Sequence, residues 1–212
     1  MHSRLENGAP FPIRLWRFAR PLTVASTAAA GGGVGRRRWI VNAQVPSDYT
    51  RRDPERHVLE LARNLGVEGE GVGMLTAADV THPERTEDGG VSVEITVGIS
   101  HPTWAAAAEG PLTAAPGPGT INVVAFIPEP LRLAALLNTL CTVTEAKSQA
   151  LLLAGIPGTG TASDAVTVAC PVGAQTESFG GTRSRFGGRL ARAVCAAVLA
   201  GCSAAPVPGG NR

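Results

Sequence analysis

Lysine is almost missing from this chain: of its 19 lysines and arginines, Lys147 is the single lysine. Arginine therefore carries the generic positive charge, and a solitary ammonium points to a task that a planar guanidinium performs poorly, a compact point charge or a tunable amine. The alternative is a solvated helix residue. Aromatic residues are scarce as well, at 4%. The core must then be built from Ala, Val, Leu and Ile, and the arginine clusters lack the interleaved aromatics and reading motifs of a nucleic-acid-binding protein. The four cysteines, Cys141, Cys170, Cys195 and Cys202, form no CxxC pair, so reduced and mostly buried thiols are expected rather than a disulfide framework. His2, His57, His82 and His101 show no HxxxH or HxH spacing, which argues against a zinc hydrolase. No run approaches the ~18 apolar residues of a membrane span, and Arg14, Arg17 and Arg20 interrupt every candidate signal region. A cytoplasmic protein without a membrane span, metal, required cofactor or nucleic-acid partner is expected.

What is present is enough for a sizeable core. The 212 residues are 44% hydrophobic and 17% charged, which favours one large domain over two small ones and rules out a disordered chain. The expected organisation is an extension over residues 1–20, frayed over its first thirteen, a domain over 21–200 and a mobile tail over 201–212. The net charge is +2, with arginines concentrated at both ends. That distribution suits either an anion-facing surface or solvated tails.

The 26 glycines and 16 prolines punctuate the chain clearly. Strands are expected from Leu22 to Thr27, from Arg38 to Val45, from Val72 to Val80, from Val91 to Gly98, over Thr120 to Ile127 and over Ala162 to Cys170. A polar turn is expected from His82 to Gly90 and a loop over 114–119. Asp53-Pro54 opens a helix running to about Leu65. A long helix spans Leu131 to Leu153, apolar almost all the way round and hence expected to be central, and a terminal helix spans Arg183 to Leu199. Several strands precede the long helix, so the reading is an α+β single domain, a mixed or antiparallel sheet packed against a long buried helix and flanking helices, with three layers compatible with it.

Polar residues inside these apolar elements are the candidates for function. Glu145, in an apolar helix, needs a partner or a task, because a buried carboxylate is costly. Lys147 lies on the opposite side of the same helix. Past Gly155 comes the loop Pro157-Gly158-Thr159-Gly160-Thr161-Ala162-Ser163-Asp164, where Asp164 could activate water or simply hold a turn. Thr159 and Thr161 are candidate donors. Gly158 and Gly160, with Gly32 and Gly33 of the run Gly31-Gly32-Gly33, allow a ligand to approach the main chain, although neither run has the spacing of a nucleotide-binding loop. Thr76 and Asp79 sit at a strand end, and Asn42 and Asn122 sit mid-strand, where a buried amide fixes either backbone or ligand. Glu145, Lys147, Asp164 and Thr161 are thus the catalytic candidates, and Gly32, Gly33, Asn42, Thr76, Asp79, Asn122, Gly158, Thr159 and Gly160 the substrate-binding ones.

Taken in order, these stretches resemble a known family. Ser26 to Gly33, Asn42-Ala43-Gln44-Val45, Gly73-Met74-Leu75-Thr76-Ala77-Ala78, Pro118-Gly119-Thr120-Ile121-Asn122, Thr144-Glu145-Ala146-Lys147-Ser148-Gln149-Ala150-Leu151 and Gly158 to Ala165 look like the adenosylcobinamide amidohydrolases of corrinoid salvage. The similarity covers roughly residues 22–198, with Ser163 in place of an expected Thr. It implies hydrolysis of the amide joining aminopropanol to the corrin ring, giving adenosylcobyric acid, with the cobalt-containing corrinoid as substrate. The sequence itself is compatible with a homo-oligomer. The resemblance does not assign catalytic residues. On chemical grounds Glu145 or Asp164 is the general base, and Lys147 or Thr161 stabilises the oxyanion or delivers a proton. Two other classes remain: a corrinoid-binding protein without turnover, and a phosphate- or nucleotide-binding enzyme using the glycine turns and terminal arginines.

Overall fold

The computed structural model of the chain describes residues 1–6, 8–108 and 119–204. The expected loop over 114–118 and the expected tail beyond residue 204 lie outside the described residues. Alternating side chains build a single mixed sheet from β1 (His2–Glu6), β2 (Ala9–Ser26), β3 (Gly33–Gln44), β4 (Gly71–Thr76), β5 (Glu84–Asp88), β6 (Val91–Gly98), β7 (Thr120–Phe126) and β8 (Ala165–Cys170). Its order is β4-β3-β2-β8-β7-β6-β5, with β1 added alongside β2. The β3–β4 and β7–β8 pairs are parallel and the others antiparallel, so the α+β expectation holds.

The sheet is not flat. β2 is 18 residues long, and its register against β3 jumps between Arg17 and Leu22, an irregularity that bends a strand. The bend folds one half of the sheet over the other. Asn42 of β3 bonds Asn122 of β7, Met74 of β4 meets Thr167 of β8, Phe18 stands edge-on to Phe126 with centroids 5.9 Å apart, and Arg14 pairs with Glu94 of β6. Helix α1 (Pro54–Asn64) covers the outside of the β3–β4 half, while α2 (Leu133–Leu153) and α3 (Arg185–Ala204) cover the outside of the β6–β7–β8 half.

Strand alternation explains the resulting cores. On β7, Ile121, Val123 and Ala125 face α2 and α3, together with Val166 and Val168 of β8, Leu136, Leu151 and Leu190. The intervening Val124 faces the other sheet half, with Val24, Ile40, Val72, Met74 and Ala169. Trp39, Val41 and Ala43 pack beneath Val58, Leu61 and Ala62 of α1. The molecule thus has four layers, helix, half-sheet, half-sheet and helix pair, one more than the sequence suggests.

Several local expectations are corrected. The supposed frayed extension is β1 and the start of β2, paired from His2↔Ile13 to Glu6↔Ala9. The polar turn over residues 82–90 contains β5, joined to β6 through Gly89 and Gly90, both at positive φ. The strand beginning at Gly71 stops at Thr76, whose hydroxyl accepts the Ala78 N–H at 3.0 Å. Pro54 does open α1, but the Asp53 carboxylate binds Arg51 rather than the helix. Helix α2 is not central: Leu133, Leu137, Leu152 and Leu153 are exposed on its outer side. Helix α3 is, among the described residues, the one helix long and apolar enough by length and composition to cross a membrane, and half of that stretch is buried inside the domain.

Candidate active site at the end of β7 and β8

The parallel strands β7 and β8 begin side by side, and the loop before β8 folds beneath the start of β7. Asp164, the last residue of that loop, accepts the Ile121 N–H at 2.9 Å and the Thr161 N–H at 3.1 Å. Its Oδ2 also receives the Lys147 ammonium from α2. The Thr161 hydroxyl lies 2.5 Å from Asp164 Oδ1 and 2.6 Å from the Gly119 carbonyl. Two acceptors thus compete for one hydroxyl proton.

Burial makes this cluster costly to assemble and hence informative. Lys147 and Asp164 retain only 8% and 9% side-chain exposure, and a charge so withdrawn from water needs a well-placed partner. The pair is roofed by main chain: a Cβ on Gly160 would fall 2.5 Å from both Asp164 Oδ2 and Lys147 Nζ. Only glycine lets the loop lie against the ion pair. Gly158 has a different reason, because a Cβ there would meet the Thr103 backbone at 2.8 Å. The loop and Thr103 are stitched together by Thr103 N–H to Gly160 O at 2.8 Å and Thr159 N–H to Thr103 O at 2.9 Å. Thr159 is committed as well, its hydroxyl accepting from Ala105 N–H and its carbonyl from the Ser148 hydroxyl.

The remaining candidates divide cleanly. Glu145 is exposed and points away from Lys147 into an open groove on the outer side of α2, so the buried carboxylate expected from the sequence is not there. Asn42, Asn122 and Thr76 are buried between the sheet halves. Asn122 Nδ2 reaches Asn42 Oδ1 at 2.9 Å and Leu75 O at 3.0 Å, and Asn42 Nδ2 reaches Thr96 at 3.2 Å. Asn122 Oδ1 is buried with no partner among the described residues. Asp79 is an exposed turn acid holding Thr81 and His82. Burial pulls its carboxyl upward, but the hydrogen bonds from Thr81 and His82 outweigh that and bring it below the usual carboxylate range. In the glycine run, a Cβ on Gly32 would fall 2.4 Å from Ala28 O. Gly33, at φ +86°, faces open space.

Sequence reasoning missed three contributors. The Ser163 hydroxyl sits 2.8 Å from Thr120 Oγ1 and 3.2 Å from Gly119 O, so Gly119, Thr120 and Ser163 complete the polar wall. Their signal was the density of hydroxyl and glycine residues on both strand approaches. Among the described residues no group of three His, Cys, Asp or Glu side chains is placed to hold a metal ion. The arrangement offers an ammonium, a carboxylate and a hydroxyl in mutual contact, a set able to move protons around a polar bond.

Comparison with known proteins adds the chemistry of relatives. A family model described as "Adenosylcobinamide amidohydrolase" matches residues 2–206. A protein of Methanosarcina mazei named adenosylcobinamide amidohydrolase is 31% identical over 186 residues, covering 84% of this chain and 88% of its own. A Halobacterium salinarum protein of the same name is 33% identical over 182 residues, covering 80% of this chain and 75% of its own.

Proposed function

This chain belongs to the adenosylcobinamide amidohydrolase family, and we propose that it hydrolyses the amide between aminopropanol and the corrin ring of adenosylcobinamide, releasing adenosylcobyric acid for cobalamin synthesis in the cytoplasm. The observation that carries the reading beyond the family name is the buried Lys147–Asp164 pair with the Thr161 hydroxyl against it. The pair supplies both a proton donor and a proton acceptor in one contact.

The reaction proceeds as follows. Water attacks the amide carbon, and the carbonyl electron pair moves onto oxygen. Water gives its proton to the Thr161 oxygen as the Thr161 hydroxyl proton moves to Asp164 Oδ1, along the contact between those two side chains. Lys147 gives a proton to the amide nitrogen, the C–N bond breaks as the carbonyl re-forms, and aminopropanol leaves. Asp164 then loses its proton to solvent and the Lys147 amine takes one up, which resets the ion pair. Glu145 takes no part in this sequence, since it lies on the other side of α2.

The test is incubation of the purified protein with adenosylcobinamide, following aminopropanol and the corrinoid acid by mass spectrometry with and without a chelator. Release of both products by the native protein, and its loss in Lys147→Met, supports the reading. Corrinoid binding with no aminopropanol released overturns it. Activity abolished by chelator alone overturns the metal-free scheme.

A further inference from the structure

An open groove of about 920 Å³ runs along the outer side of α2, lined by Cys141, Glu145, Ser148, Gln149, Leu152 and Leu153 among others. Three further cavities measure about 590, 390 and 280 Å³. We infer that this face of α2 is the seat of the corrin macrocycle, with Leu152 beneath the ring and Glu145 and Gln149 binding its rim. The inference rests on the adenosylcobinamide reading and adds the place of binding.

Three observations favour this occupant. The first is size: small-molecule sites span roughly 300–1,000 Å³, and a macrocycle carrying an adenosyl group needs the upper end of that range, where this groove lies. The second is chemistry. A corrin presents a broad apolar face ringed by primary carboxamides, each with two donors and an acceptor. The groove matches it with exposed leucines, Leu152 at 55% and Leu153 at 65%, beside a carboxylate that only accepts and a glutamine amide that does both. An exposed apolar patch rimmed by such groups marks a binding surface.

The third observation is continuity with the ion pair. At ~100° per residue, Lys147 lies about 60° around the helix from Thr144, just past the groove's flank. Ser148 lines the groove and donates to Thr159 O at 3.0 Å, joining it to the loop that carries Thr161 and Asp164. A ring seated on α2 can therefore extend its aminopropanol arm over that flank toward the proton-transfer groups. Glu145 changes role accordingly, from general base to a residue that reads the rim.

The test needs no variant, because the exposed Cys141 lies in the groove. Saturating adenosylcobinamide in the dark is expected to slow maleimide labelling of Cys141 at least 10-fold, read by peptide mass spectrometry; an unchanged rate overturns the seat. Leu152→Asp and Gln149→Ala are expected to raise KM at least 10-fold with kcat within about 3-fold, whereas Leu133→Asp, on the same helix outside the groove, leaves KM unchanged. A native dimer that Leu152→Asp splits without altering KM would assign the face to a second copy instead. Turnover with an unprotected Cys141 fells the seat and leaves the hydrolase reading standing. Protection without aminopropanol release keeps the seat and fells the hydrolase reading.

Discussion

Lys147 and Asp164 form an ion pair that ties the middle of α2 to the first residues of β7 and β8. Asp164 has four donors around two oxygens, the Lys147 ammonium, two backbone N–H groups and the Thr161 hydroxyl. A carboxylate offers about four acceptor sites, so its orientation is fully determined. Removing either partner of a buried pair leaves an uncompensated charge, at a cost of about 3–5 kcal/mol. Lys147→Met and Asp164→Asn should each lower unfolding free energy by that order and cut turnover at least ~100-fold. The double variant Lys147→Met/Asp164→Leu should regain most of the stability and none of the turnover. Chemical denaturation beside product release separates the two effects, and a double variant that hydrolyses at the native rate would sink the proton-transfer scheme.

Gly160 offers a second handle on the same contact. A methyl group there must displace either Asp164, which is held by its hydrogen bonds, or the end of the flexible Lys147 side chain. The lysine is the softer of the two. Gly160→Ala should therefore fold, with a stability loss of about 1–3 kcal/mol, while turnover falls at least ~10-fold through loss of the ion pair. Gly33→Ala meets no neighbour within 4 Å. Its only cost is the positive φ, about 1–2 kcal/mol, and its turnover should stay close to native.

Which parts of this could be read from the sequence follows from the range of each physical signal. The Lys147–Asp164–Thr161 group was legible because a lone amine in an apolar helix and an acid after a glycine loop are local anomalies. Glu145 misled because it lies in the same helix, and apolar composition alone cannot tell a buried face from an exposed row of leucines such as Leu152 and Leu153. Strand β5, Glu84-Arg85-Thr86-Glu87-Asp88, reads as a turn by its charge, yet it is an edge strand whose residues alternate in exposure. The beginning of β2 looked frayed because of Pro10 and Pro12, which pair with Leu5 and Ser3 on the added strand β1. Contacts across the folded sheet, such as Asn122 with Asn42 at 2.9 Å, depend on the bend in β2, and no periodicity announces it.

Asn42 and Asn122 are expected to matter for stability first. Their amides bond each other, Thr96 and the Leu75 carbonyl inside the molecule, and the free Asn122 Oδ1 is the kind of buried acceptor that an ordered water satisfies. Truncating Asn122 to Ala leaves Asn42 Oδ1 and Leu75 O without their donor, at about 1–3 kcal/mol for each unsatisfied group. The midpoint of urea unfolding should drop accordingly while KM changes less than about 3-fold. A large rise in KM with unchanged stability would instead return Asn122 to the substrate.

The pH dependence of stability should carry the mark of His57. This ring is 5% exposed on the inner side of α1, with Tyr49 OH 2.9 Å from Nδ1. Burial lowers its pKa from the ordinary value of 6.5, helped by the nearby charges of Arg51 and Arg4 and opposed by Glu6 and Glu60. The folded protein therefore keeps His57 neutral at a pH where the unfolded chain already binds a proton. Protons are taken up on unfolding, so stability is fully present above about pH 6.5 and falls as the pH drops through the unfolded and then the folded pKa. Urea unfolding at pH 7.5 and pH 5.5 should show that loss in the native protein, and His57→Phe should remove this component of the slope while lowering stability at pH 7.5 through the lost Tyr49 bond. An unchanged slope in His57→Phe would place the acid sensitivity elsewhere.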